Sequence, residues 1–229
     1  LTVHTIDSNQ RIVDFVRRLL SSGVPPYAYD ENGRRIVAPS KGELREKVIL
    51  DEAEKQLIEL GPEAMTVESI ATAAGLTRGA LYFYFRSKND VLAALVQRVV
   101  VELSGAVATR QRAVPDSPRD ALLSAIDLTR DLWSRHGAVM RTAVDLSPSV
   151  PVIANLWNGA RDEICDSVRA LAVAGGVEDD DGPTGADALV RALVGLTERC
   201  FHDAVARDAP LDAAAETVAL IWDRVLRLR

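Results

Sequence analysis

The stretch that decides the fold is Met65–Val96, MTVESIATAAGLTRGALYFYFRSKNDVLAALV, and inside it Thr77–Asp90, TRGALYFYFRSKND. Tyr82, Phe83, Tyr84 and Phe85 stand in a row between Arg78 on one side and Arg86 and Lys88 on the other. Buried rings dominate core energetics, so each ring taken alone reads first as core. Four consecutive residues cannot all face one way on a helix, however, so one or two rings must stay outside. Exposed rings rimmed by Arg and Lys mark a binding surface.

Around this stretch the breakers and caps fall at helical intervals. A long helix from about Lys41 to Leu60 is predicted to turn Leu44, Val48, Ala53, Leu57 and Leu60 inward and to stop at Gly61-Pro62. Thr66 caps a short helix, with Ser69 in the place usually held by Glu or Gln. Gly75 supplies the left-handed residue that closes it, and Thr77 caps the next helix at once. Two short helices joined by a glycine turn make a helix-turn-helix. Ser87 then caps a helix from about Lys88 to Arg112.

On the helix after Thr77, Ala80 and Leu81 face the preceding helices and Phe85 closes the small core. Arg78, Gly79, Tyr82 and Phe83 share the outward face, with Tyr84 at its edge. The DNA major groove is about 12 Å wide and admits such a helix. Arg78 can pair two-pronged with a guanine, and Gly79 lets the backbone approach. Tyr82 and Tyr84 offer hydroxyls to phosphates, and Lys88 stands where a helix N-terminus favours an anion.

Beyond this stretch the chain reads as all-α. Period-two alternation is nearly absent, and further helices are expected over roughly 118–135, 137–146, 150–174, 184–208 and 211–228. Residues 1–40 read as an N-terminal extension. Its amphipathic segment 9–22, Asn32-Gly33 turn and Arg34-Arg35 pair offer a small hairpin or a basic arm.

Composition limits the alternatives. The net charge of -6 argues against a generally basic nucleic-acid binder, so any phosphate contact must be local. The block 77–88 meets that need, with three basic groups and no acid. No run approaches the roughly 20 apolar residues of a membrane span. Cys165 and Cys200 lie far apart without metal-ligand spacing, and with no secretory signal visible a cytoplasmic setting is expected. No phosphate-cradling glycine loop, metal cluster or nucleophile elbow occurs, so no catalytic residue, metal or cofactor is expected. The rival reading is an all-helical enzyme with a pocket in its C-terminal bundle, drawing on His4, His136, His202, the two cysteines and the acidic run Glu178–Asp181.

The segment 43–95 resembles the DNA-binding domain of the TetR family of bacterial repressors. The likeness lies in the glycine turn, the Thr77-Arg78 start, Leu81-Tyr82, Phe85 and Ser87-Lys88. It implies a DNA-binding domain over 41–90 and a ligand-binding and dimerisation domain over 91–229. The family's contact positions map onto Thr66, Thr77, Arg78, Gly79, Tyr82, Tyr84 and Lys88, Tyr84 standing where many members have His. The function implied is that of an effector-controlled repressor, a homodimer through its last two helices on a palindromic double-stranded operator.

A more scattered likeness joins the C-terminal body to the EthR-like branch of that family. It rests on Leu156-Trp157, Ala192-Leu193 with Glu198-Arg199, and Ile221-Trp222, and implies an elongated apolar pocket. Trp133, Met140, Leu156, Trp157, Phe201 and Trp222 are spread over the predicted helices and can converge on one cavity, although plain core packing explains each of them too. Where that branch places two pocket asparagines, this chain has Val194 and Thr197, which implies a less polar or differently shaped hydrophobic effector.

Overall fold

The computed structural model describes residues 40–111 and 117–227. Of the extension, only Ser40 falls within them; the expected helix at 9–22, the hairpin and the Arg34-Arg35 arm lie outside. Among the described residues every regular element is a helix. In chain order these are α1 Lys41–Ala64, α2 Val67–Ala73, α3 Arg78–Tyr82, α4 Lys88–Gln111, α5 Pro118–Leu146, α6 Pro151–Ala174, α7 Ala186–Ala206 and α8 Leu211–Leu226.

Local chemistry sets the first four. Ser40 and Glu43 form a reciprocal capping box at the start of α1, the Ser40 Oγ accepting from Glu43 N at 3.2 Å. Gly61, at φ 75°, breaks α1 before one last turn that opens on Pro62. At α2 the box closes as expected with a serine in the acidic position: Thr66 Oγ1 accepts from Ser69 N, and Ser69 Oγ from Thr66 N, each at 3.0 Å. Ser69 also ties α2 to α1, because its hydroxyl donates to Gln56 Oε1 at 2.8 Å while Gln56 Nε2 donates to its carbonyl at 3.0 Å. Gly75, at φ 66°, ends α2, and the bond from Leu76 N to Ala71 O at 2.8 Å closes the turn.

The inward face of α1 differs from the expectation. Ile49, Leu50, Ala53 and Leu57 are buried, whereas Leu44, Val48 and Leu60 are exposed. At about 100° per residue, Leu44 and Val48 lie on the flank opposite the Ile49–Leu57 stripe. Leu60 shares the stripe's azimuth but sits at the break before Gly61, past the packed length of the helix.

The described chain falls into two compact units. One runs up to Val100 and takes in Ala138–Trp157; the other comprises Val101–Gly137 and the residues from Asn158 on. In the first, α2 packs on α1 and α3 on α2, and Met65, Ile70, Leu81, Phe85, Val91 and Leu95 are buried. Arg98 clamps α4 to α1 through Asp51 at 2.7 Å and through Glu54. In the second, α7 packs on α8, and Val190, Leu193 and Phe201 of the one and Val218 and Trp222 of the other are buried. Ion pairs from Arg119 to Asp223 at 2.5 Å and from Arg130 to Asp212 at 2.7 Å tie α5 to α8.

The two helices expected over 118–146 form one element with a break at His136, whose φ of -126° is not helical. His136 Nε2 meets Glu102 at 3.0 Å, and Arg135 pairs with the same carboxylate, which joins α5 to α4 at the break. A Cβ at the next residue, Gly137, would stand 3.0 Å from Val205 Cγ2, so the glycine permits a close approach of α5 to α7.

Candidate nucleic-acid interface

The surface begins with Thr77, whose hydroxyl accepts from Ala80 N at 3.2 Å and starts α3. The helix lasts only five residues, then Phe83 caps it and the chain turns so that Tyr84 N and Phe85 N both donate to Leu81 O, at 2.8 and 3.0 Å. This early end is shorter than the helix expected through Phe85. It divides the four rings: Phe85 enters the core beside fully buried Leu81, Tyr84 is half-buried, Tyr82 is exposed, and Phe83 is 86% exposed.

Arg78 and Tyr82, one turn apart, act as a pair. Arg78 Nη2 donates to the Tyr82 hydroxyl at 3.1 Å, and the guanidinium lies 5.5 Å from the ring centroid. That hydrogen bond, then the attraction of the phenol oxygen, pushes the Arg78 pKa above its ordinary range. The Tyr82 hydroxyl still has its own proton to donate, and the guanidinium keeps further N–H groups. Gly79 lies in the next column, with nothing within 4 Å of where a Cβ would be. Thr66 is exposed at the head of α2.

Lys88 differs from the simple anchor expected of it. Its Nζ donates to the Pro62 carbonyl at 2.8 Å, so one of its three donors fastens the start of α4 to the break in α1. Ser87 and Asp90 complete that start, with Asp90 N on Ser87 Oγ at 3.1 Å and Arg86 N on Asp90 Oδ2 at 3.0 Å. Behind the surface, the Asp51 carboxyl is lifted by burial but lowered more by the hydrogen bonds and charges of Lys47 and Arg98, and it ends below the usual range. The clamp to α4 is therefore charged at neutral pH.

The residues expected to line a pocket fall into separate groups. Trp133 and Phe201 are both buried and stack with centroids 6.2 Å apart and planes at 19°. Trp222 Nε1 donates to Thr197 Oγ1 at 2.9 Å, while that hydroxyl donates to Leu193 O at 2.8 Å. Val194 is buried on the same helix. Met140, Leu156 and Trp157 belong to the other unit, the first two buried and the last half-buried. Sequence reasoning missed Gln97, a buried amide whose Nε2 has no hydrogen-bond partner among the described residues.

The groups weighed for catalysis serve local structure. His202 and Asp203 approach at 3.4 Å, Asp179 pairs with Arg169 at 2.5 Å, and burial pushes both the Cys165 and the Cys200 thiols up. Among the described residues no helix is long and apolar enough to cross a membrane.

A capped three-helix head with a polar, cationic outer face is that of a helix-turn-helix protein. Residues 49–95 fit the family described as bacterial regulatory proteins, tetR family. The HTH-type transcriptional regulator EthR of Mycobacterium tuberculosis is 33% identical over 198 residues, which cover 83% of this chain and 90% of EthR. EthR of Mycolicibacterium smegmatis is 28% identical over 192 residues, covering 82% and 87%. The fold is similar to that of the fatty acid degradation regulator FadR from Bacillus halodurans, with a TM-score of 0.67 at 18% identity over 84% of this chain and 100% of that one. The chain belongs to the TetR family of transcriptional regulators. Its relatives are named as regulators, and the enzyme reading is set aside.

Proposed function

We propose that this regulator is a cytoplasmic repressor that binds a palindromic operator as a homodimer and leaves it when a small hydrophobic effector binds. The observation that carries the DNA half is the outer face of α3. Arg78 and Tyr82 there keep further donors beside an open Gly79 backbone. In this reading Arg78 reads a base, Thr66, Thr77, Tyr82, Tyr84 and Lys88 hold the sugar-phosphate backbone, and Gly79 admits the duplex. Residues 41–90 carry this contact, and 91–229 carry effector binding and pairing.

The effector half rests on the chemistry of α7. Thr197 has both given its proton to Leu193 and accepted the Trp222 indole, and Val194 is apolar. Neither position offers the free amide that EthR-like repressors present there, so an apolar ligand fits better than one held by polar groups.

For pairing, Ala188, Ala192, Leu220 and Val225 are exposed on α7 and α8, with Leu189, Leu196 and Ile221 half-buried. Val218, on α8 between these positions, is fully buried in the chain itself and so belongs to the interior of the unit. Two-fold pairing would set the recognition helices about 34–36 Å apart, one turn of DNA. An effector coupling of about 1–3 kcal/mol would lower operator affinity 5- to 150-fold.

The test is selection of genomic fragments on the purified protein, followed by fluorescence anisotropy on the recovered duplex and thermal-shift screening of lipophilic compounds. Retention of a palindromic duplex by a dimer, with saturable stabilisation and release by one compound class, is expected. If no duplex is retained, the operator reading fails; if no compound both stabilises and releases, the effector reading fails.

A further inference from the structure

Phe83, at 86%, is the most exposed large apolar side chain among the described residues. Nothing in the packing of the head calls for a ring there. The residue's contribution to the fold is its backbone, whose N–H donates to Ala80 O at 3.3 Å as α3 ends. Water solvates a phenyl ring poorly, and a polar residue would make the same turn without that cost.

The ring has a defined setting. It meets Tyr84 edge to face, with centroids 5.4 Å apart and planes at 80°. Side chains one turn apart stand in columns, so Phe83 lies over Gly79 as Tyr82 lies over Arg78. The Arg78 guanidinium is held in its own column by Tyr82, and apart from the adjoining residues and the helix's own backbone nothing lies within 4 Å of the Cβ position at Gly79. Gly79 thus leaves open space on this face, with Phe83 one turn along the chain from it and the Arg78–Tyr82 pair in the adjoining column.

An apolar wall inside a cationic surface narrows the occupant. The block 77–88 has three basic groups and no acid, which suits a polyanion and not the apolar face of another protein. The apolar group that a duplex presents in its major groove is the C5-methyl of thymine, and phenylalanine is among the side chains that contact it. We propose that Phe83 is a base-reading residue whose ring takes a thymine C5-methyl group, so that the surface reads a thymine beside the base pair met by Arg78. This rests on the DNA-binding reading given above.

The experiment uses the full chain and the duplex recovered by genomic selection, with each thymine of a half-site replaced in turn by deoxyuridine. That swap removes one methyl and keeps every Watson–Crick bond. Wild type should lose about three- to fivefold in affinity at one thymine per half-site, the worth of one buried methyl. Phe83→Ala should lose a similar factor on the thymine duplex and show no further loss on the uracil duplex, while Phe83→Leu keeps part of the discrimination. Thermal melts should match the wild type, because the side chain is outside the core. Indifference of the wild type to every swap overturns the proposal, and so does Phe83→Ala with the full uracil penalty. A Phe83→Ala protein that sediments differently yet keeps the thymine response assigns the ring to a contact between copies, which also overturns it. Failure of the wild type to hold any duplex is a separate result, and it removes the operator reading together with this one.

Discussion

Two groups of aromatic rings in this chain meet opposite environments. In the C-terminal unit Trp133 and Phe201 stack with near-parallel planes inside the core, and the Trp222 indole N–H is matched by Thr197. In the head, Leu81 and Phe85 go inside while Tyr82 and Phe83 stay out, Tyr82 paired only with the exposed Arg78 and Phe83 touching only the edge of Tyr84 among the rings. The residue types are alike; the difference lies in which polar neighbours each group has. Rings buried with their polar atoms paired stabilise the chain, and rings held at the surface beside a cation are available to something else.

The contrast can be broken most forcefully in the core. Phe201→Ala should destabilise the protein by about 3–5 kcal/mol, as large-to-small changes at a fully buried ring do. Thermal or denaturant melts would show it, and operator affinity per folded molecule should hold. Next in size, Arg78→Ala should leave the melt unchanged and cost about 1–3 kcal/mol of binding, with preference relaxed at one base pair per half-site. Competition binding across single-base variants of the operator measures this. Equal losses on every variant would mean that Arg78 is a phosphate contact and not a reader.

A third pair of changes tests the polar bookkeeping inside the core. Thr197→Val removes the acceptor for the buried Trp222 indole and should cost about 1–2 kcal/mol. Gln97→Leu removes a buried amide N–H with no partner among the described residues, so urea melts should show it neutral or stabilising by about 1 kcal/mol. The same melts on both variants read the difference in sign. A destabilising Gln97→Leu would mean that the amide is satisfied by bound water.

What was legible in the sequence was local. Thr66, Ser69, Thr77 and Ser87 act three residues along the chain, and Gly61 and Gly75 act through their own φ angles, so the helix-turn-helix could be placed from residue types alone. Contacts across long separations were not. Leu44 and Val48 are apolar but lie on the exposed flank, and residue type alone did not separate them from Ala53 and Leu57; the position of the packing partners does. The Trp222–Thr197 bond spans 25 residues and the Lys88–Pro62 bond 26, beyond any periodicity. Lys88 was therefore expected as a free anchor, although part of its role is to hold α4 against α1.

The smallest change probes the exposed region most directly, because it should move stability and binding in opposite directions. Gly79 sits inside α3 with open space at its Cβ position, so Gly79→Ala meets no clash within the chain. Alanine suits a helix better than glycine by up to about 1 kcal/mol, so the melt should rise slightly. If the Gly79 backbone is the floor on which a base edge rests, the added methyl stands where the duplex must come, and operator affinity should fall although the protein is more stable. Anisotropy titrations alongside thermal melts would show the two effects in one variant. A stabilised variant with full affinity would mean that the duplex keeps its distance from Gly79, and the contact would then have to be made by side chains without that backbone floor.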